Sequence, residues 1–352
     1  MQRQDEINQK RLISEHKIQL LEIDQVQLFF DSIKSKETRN KYFCYLRKYR
    51  QSFEKDPLSE KDPKIIGDQI IQFINSCKKK GMSYGAIHNY VTVVVSFYKI
   101  NDVILNTIKI AKFLPEQRKV KKDRAYTHEE ILRLLEGADE RMKVVILLLA
   151  STGMRIGALP SLKIASIQGD KITIYENDRE EYFTFITTEC KKAIDSYLDM
   201  RSRYGEKLTD NSPLIREQFD IRDKFAIPVA KGIGRSALIW KLEDIARRSG
   251  VRTMQVPIAH GFRKFYTNQL IKSNVKAEVR LRLEGHSIGI TDHYWRPSEE
   301  DMYLEYQKAT NALTINEENR LKNRIEKLEV EKSQLELLTK DVEMLKRKMR
   351  NK

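Results

Sequence analysis

Cysteine is scarce: the 352-residue chain has three, Cys44, Cys77 and Cys190, odd in number and far apart. That excludes a disulfide framework and a CxxC metal pair, and it fits a reducing compartment. Long apolar runs are missing too. The longest is Val144 to Ala150, far short of the roughly 20 residues a membrane-spanning helix needs. The amino-terminal MQRQDEINQKR lacks the apolar centre of an export signal. The expectation is a soluble cytoplasmic protein with no membrane partner. Acidic charge is in deficit, 50 Asp and Glu against 65 Lys and Arg, for a net charge of +15 and a pI near 9.5. Such a surplus points to a polyanionic partner without choosing among DNA, RNA and acidic membrane.

At this length two globular units plus an extension are the natural prior. Residues 1–24 are polar and charged and read as a mobile or weakly helical arm. Tyr42, Leu46, Tyr49 and Phe53 fall at i, i+4, i+7 and i+11, the stripe of an amphipathic helix, and Ile87, Val91, Val94 and Tyr98 repeat it. With the break at DPLSEKDPK and the apolar GDQIIQFINSC, residues 25–113 predict a bundle of four or five helices. The KKKGMSYG stretch either tracks phosphates or is a solvated face. Residues 114–125 hold LPEQRKVKKDR, basic and with little to bury, and read as a linker.

A second domain is expected over 126–312. Thr127 and Glu130 form a T-x-x-E capping box, with Tyr126 and Ile131 placed as a hydrophobic staple, so a helix starts near 128. Arg141 to Ser151 is apolar almost all round and predicts a buried helix that delivers Arg155 at its end. KITIYENDREEYFTFIT, residues 171–187, reads as a β-hairpin. The fold class is therefore mainly α with a small antiparallel β-sheet (α+β). Residues 313–352 predict a long helix or coiled coil, with Leu321, Leu328, Leu335, Val342 and Met349 seven apart. Ile325 fits the partner seam position early and Leu338 and Leu345 fit it later, so the register shifts near 332.

Five residues stand out in order: Arg155 in TGMRIGALPSL, His260 and Arg263 in HGFR, His286 in EGHS and Tyr294 in DHYWRP. Singly, each has a plainer explanation: a surface arginine, a capping histidine, a packing tyrosine. Helical spacing of i and i+3 puts His260 and Arg263 on one face, but the glycine between them costs about 1 kcal/mol in a helix and asks for a reason.

The order Arg, HxxR, GH, then Tyr within about ten residues resembles the tyrosine recombinase (phage integrase) family. The likeness covers roughly residues 25–312 and is strongest over 150–165 and 258–297. GHSIGITDHYWRPSEE followed by a leucine-heptad tail looks most like integrases of archaeal viruses and integrated elements, which are mobile genetic elements. The resemblance implies a helical core-binding domain over 25–113 and a catalytic domain over 126–312. It also implies site-specific DNA recombination by transesterification, with Tyr294 attacking the scissile phosphate to leave a 3′-phosphotyrosyl bond and a free 5′-hydroxyl. Arg155 and Arg263 would then hold the nonbridging oxygens, while His260 and His286 donate hydrogen bonds and assist proton transfer. A planar guanidinium suits that clamp because it binds phosphate bidentately. No cofactor, metal or ATP is implied; the partners would be double-stranded DNA at attachment-type sites and further copies of the chain, as a tetramer on DNA.

Two departures from the family pattern are visible. The acidic residue usual three positions after the first arginine is replaced by Ala158. At the hairpin position where the family places a lysine to protonate the leaving oxygen, the turn offers Arg179, with Lys171 at the first strand as fallback. Arginine, with a pKa above about 12, stabilises an alkoxide but is a poor acid. A non-catalytic DNA-binding or architectural protein and a type IB topoisomerase-like nicking-closing enzyme are the alternatives. The metal hydrolase reading is weak, because His260, His286 and His293 lack HxxxH or HExxH spacing.

Overall fold

Helix-starting residues sit where the apolar stripes begin, and they set the element boundaries in the computed structural model. Residues 24–117, 123–218, 222–223, 225, 227, 230–252, 254–289 and 294–350 are described. Nearly all of the expected arm, the linker's central residues 118–122, and His293 lie outside them. The chain divides into two compact units, Met1–Val120 and Lys121–Lys352.

The first unit is helical: α1 (Asp24–Asp31), α2 (Lys36–Arg50), α3 (Pro63–Lys79), α4 (Tyr84–Ile100) and the short α5 (Thr107–Ala111). Ser35, Asp62 and Ser83 cap α2, α3 and α4 by accepting hydrogen bonds from backbone N–H groups of the first turn. Leu46, Tyr49, Ile70, Phe73, Ile87 and Val94 form the centre of its core, with Tyr42 and Phe53 half-buried at its margin.

In the second unit, both halves of the Thr127–Glu130 capping box form and start α6 (His128–Glu136). Helix α7 (Glu140–Thr152) is buried from Val144 through Thr152, as its unbroken apolar run requires. It stops at Gly153, whose φ of 60° is left-handed and whose α-hydrogen faces the Tyr266 ring, so that a Cβ there would overlap it. The hairpin is β2 (Lys171–Ile174) and β3 (Tyr182–Phe185), and a two-residue strand, β1 (Ile167–Gln168), adds a third antiparallel strand in the order β1-β2-β3. Lys171 pairs with Phe185 and Ile174 with Tyr182, so Ile172 and Ile174 turn inward while Lys171 and Thr173 face away from the core. Helices α8 (Thr188–Arg203), α9 (Arg235–Arg248), α10 (His260–Lys272), α11 (Ala277–Leu283) and α12 (Glu299–Leu313) follow, with α10 packed on both α7 and α12. Among the described residues no helix is long and apolar enough to cross a membrane.

The chain ends in α13 (Glu317–Arg350), 34 residues without a break at 332. Its root is fixed: the Glu189 carboxylate accepts from the N–H groups of Ile315 and Asn316 at 2.7 and 3.0 Å. Beyond that the seam is open, with Leu321, Ile325 and Leu328 each 55% exposed and Leu335 66%. The side chains of Leu345 and Met349 lie outside the described residues.

A buried ionic cluster ties α8 to the chain after it. Arg201, fully buried, donates to Glu206 at 2.5 and 3.0 Å and to the carbonyls of Pro213 and Leu214, and Arg216 donates to the same carboxylate at 2.6 Å. Burial opposes ionisation of Glu206, but the two guanidiniums outweigh it and hold the carboxyl below the usual range. Its contribution to stability is therefore complete above the ordinary carboxylate pKa and is lost as pH falls through the lowered folded value. Glu206→Gln leaves two buried cations short of their anion and should cost about 3–5 kcal/mol. Both tryptophans, Trp240 and Trp295, lie in this unit, so urea unfolding followed by tryptophan fluorescence reads it selectively; a loss under about 1 kcal/mol would refute the assignment.

Candidate active site

The site assembles where α7, the hairpin, α10 and α11 end. Arg263 is on the first turn of α10 and is buried. Its Nη1 donates to the Gly153 carbonyl at 2.8 Å, and Nη2 donates to the Glu284 carbonyl at 2.6 Å and faces His286 Nε2 at 2.8 Å. Because a guanidinium can only donate, this contact makes Nε2 the acceptor and puts the imidazole proton on Nδ1. Burial, reinforced by the charges of Arg263 and Arg155 against the opposing Glu284, lowers the His286 pKa from its ordinary value and keeps the ring neutral. Three of the five guanidinium N–H groups of Arg263 are thus directed, and the Tyr182 phenol lies beside the same guanidinium.

Arg155 follows Gly153 and opens a short 3-10 segment, Ile156–Ser161. Its side chain is 47% exposed, and its nearest anion is Glu180 of the hairpin turn, 4.0 Å away. Ala158, three positions on, is fully buried and apolar, so the hairpin carboxylate is the acid that Arg155 meets. Arg155, Lys171, Arg179, Tyr182, Arg282 and His286 line one open cavity of about 770 Å³. Lys171 reaches it from the outward face of β2, its ammonium 2.7 Å from Glu299 and 5.5 Å from the Phe183 ring centre.

His260 opens α10 on the same turn as Arg263, three residues before it, and is exposed. The glycine between them has a packing reason: a Cβ on Gly261 would come within 2.7 Å of Val256 and 2.8 Å of the Tyr126 ring. Tyr126 in turn donates its hydroxyl to the Ile258 carbonyl at 3.1 Å, which brings the α6 entrance against the start of α10. Tyr294 is not among the described residues lining the cavity, and it stands 87% exposed. The next residue is held: Arg282 Nη2 donates to the Trp295 carbonyl at 2.6 Å, and its guanidinium lies 5.4 Å from the indole centre.

The structure thus gathers Arg155, Arg179, Arg263 and His286, places His260 on the same helical turn as Arg263, and leaves Tyr294 beside a clamped Trp295. It adds residues that the sequence did not single out. Glu284 buries its carboxylate beneath the site, accepting from Thr267 at 2.9 Å and lying 3.6 Å from His286 Nε2. Tyr182 lays its ring over Gly285, and burial pushes its phenol up to about 12 against the nearby Arg263 charge.

The chain thus joins a helical unit to a second helical unit that carries a three-stranded sheet and this cluster. No family model matches the chain. In sequence it is 22% identical over 289 residues to tyrosine recombinase XerA of Pyrococcus furiosus, covering 78% of this chain and 89% of that one. A tyrosine recombinase XerA of Pyrococcus horikoshii is likewise 22% identical, over 80% of this chain and 90% of the relative. Among solved structures, a lambda integrase dimer bound to a COC′ core site has a TM-score of 0.55 at 14% identity, over 76% of this chain and 94% of that one. The Tn1549 transposon integrase in complex with circular intermediate DNA has a TM-score of 0.54 at 16% identity, over 80% and 98%. The chain is thus similar in sequence to tyrosine recombinases and shares the fold of solved integrases.

Two glycines test the packing around His286. Gly285 and Gly289 both have left-handed φ, 68° and 66°, but a Cβ at Gly285 meets the Tyr182 ring at 2.5 Å while one at Gly289 meets nothing within 4 Å. Gly289→Ala should cost only the backbone strain, about 1–2 kcal/mol. Gly285→Ala should cost clearly more and displace His286; equal shifts of the two in thermal unfolding would show that the Tyr182 contact does not constrain the site.

Proposed function

We propose that the chain is a site-specific DNA recombinase that cuts and rejoins strands through Tyr294, with no metal or ATP. The observation that supports this most is that Arg155 and neutral His286 line one open cavity, with buried Arg263 in contact with His286 and an exposed tyrosine eight positions after it. In this reading Arg155 and Arg263 hold the nonbridging oxygens of the scissile phosphate, where a guanidinium stabilises the charge that builds in the transition state. Glu180 is the anion that the phosphate displaces from Arg155.

The phenolic oxygen of Tyr294 attacks phosphorus, the bond to the 5′-oxygen breaks, and a 3′-phosphotyrosyl ester forms. Neutral His286 can accept the phenolic proton at Nε2 once that atom exchanges its contact with Arg263 for the phenol, and exposed His260 donates a hydrogen bond to the phosphate from the same turn as Arg263. The ester conserves the energy of the broken bond, so a 5′-hydroxyl of a partner strand reverses the step. Arg282 acts by positioning: its grip on Trp295 fixes the chain directly after the nucleophile. Double-stranded DNA is the substrate, recognised by both units, and the reaction proceeds in a tetramer on paired sites. The reading as an integrase of an archaeal virus or integrated element rests on the GHSIGITDHYWRPSEE stretch and the heptad tail.

The donor to the leaving 5′-oxygen is assigned to Arg179 at the cavity rim. Lys171 is the second reading, favoured by the side chain it sends into the same cavity and by the ease with which an ammonium gives up its proton.

On a nicked suicide duplex, the wild-type chain should trap a covalent protein–DNA adduct that Tyr294→Phe cannot form, with DNA affinity unchanged. An adduct on another side chain, or salt-sensitive binding with no adduct, would replace this reading with that of a DNA-binding protein. Relaxation of supercoils by a monomer without paired sites would instead indicate a topoisomerase. For the acid, Arg179→Ala should slow cleavage and recover on a 5′-thio leaving group, while Arg179→Lys keeps or raises the rate. Recovery confined to Lys171→Ala would move the role to Lys171.

A further inference from the structure

The described part of α13 has no apolar neighbour for its leucines. At 1.5 Å per residue the helix is about 51 Å long. It is fixed to the second unit only around its start, where Glu189 binds Ile315 and Asn316 and Arg320 donates to the carbonyls of Thr314 and Ile315. Its own support is slight: ion pairs Lys322–Glu318 at 2.8 Å and Lys327–Glu331 at 4.0 Å, each exposed. Pairs of that kind add a few tenths of a kcal/mol, and helices in water draw most of their stability from burying an apolar face. A seam 55–66% exposed at Leu321, Ile325, Leu328, Leu335 and Leu338 therefore calls for a cover.

We propose that this cover is α13 of a second copy of the chain, in a parallel, in-register coiled coil that forms without DNA. A leucine every seventh residue makes a self-complementary surface, since each knob finds a hole between like residues on an identical helix. Ile325 supplies the alternate seam position in the first half and Leu338 in the second. Between them the alternate position is Lys332, a polar residue of the type that fixes register and favours two strands at some cost in stability. The flanking charges fit the parallel arrangement. Arg324 of one copy lies opposite Glu329 of the other, and Glu331 faces Glu336, a like pair that the two Lys332 ammoniums beside it offset. The pairing places two second units at the same end of the coil, rooted at their Glu189 carboxylates.

Sedimentation of the full chain without DNA tests this independently of the strand-transfer reading, because association needs no cleavage and Tyr294→Phe should leave it intact. Wild type should sediment at twice the 41.4 kDa chain mass at micromolar concentration. Leu328→Lys with Leu335→Lys should halve that mass while the tryptophan-detected urea unfolding of the second unit is kept, since Trp240 and Trp295 lie outside α13. Arg324→Glu should weaken the dimer, and adding Glu329→Arg should restore it. A monomeric wild type, whose tail then folds on its own chain or waits for DNA, overturns the proposal. So does a dimer that the leucine pair does not disturb, or a charge swap that fails to rescue.

Discussion

The guanidinium of Arg263 is the keystone on which the candidate site rests. From a buried position on α10 it donates to the carbonyl of Gly153, where α7 ends, and to that of Glu284, where α11 ends, and it faces the imidazole of His286. Helix ends leave carbonyls without intrahelical partners, and a single charged side chain here satisfies two of them. The same contacts bring Arg155, two residues past Gly153, and His286, two residues past Glu284, to one place. The arginine is therefore a structural bolt as well as the proposed phosphate ligand, and a loss at this position would confuse folding with chemistry.

Around that bolt the electrostatics are arranged so that the positive face is not neutralised. Glu284 is buried below His286, while Glu180, on the exposed hairpin turn, is the anion nearest Arg155. An exposed pair at 4.0 Å is weakly held and gives way to a phosphate that accepts bidentate hydrogen bonds. Burial and two guanidiniums lower the basicity of His286, so that its ring stays neutral near neutral pH.

Much of this was legible in the sequence, because periodicity and capping report local physics. The Thr127–Glu130 box, the all-apolar α7 and the strands around YENDREE each follow from residues close in the chain. The two-residue β1 did not, being too short to show a period. Within the site, the residue types of Arg155, HxxR, GH and Tyr294 could be read off, whereas their supports could not. Nothing in a linear reading ties Tyr182 to Gly285, Glu180 to Arg155 or Arg282 to Trp295, since these meet only through tertiary packing. Gly261 was visible as an oddity in a helix, but its reason, the Tyr126 ring, lies 135 residues away. The heptads of α13 announced a seam without saying that it would stand open.

Ser298 caps α12 through a box in which its hydroxyl accepts from Asp301 N–H and the Asp301 carboxylate accepts from Ser298 N–H. That anchor stands four residues after Tyr294, a leash of at most about 13–14 Å at full extension, which the hold of Arg282 on Trp295 shortens further. A phenol so tethered samples a small volume, and short tethers of this kind hold effective concentrations on the order of millimolar or above. In the proposed reaction the phenolic oxygen would rest in solvent, away from the basic cavity, and reach a bound phosphate by one short swing.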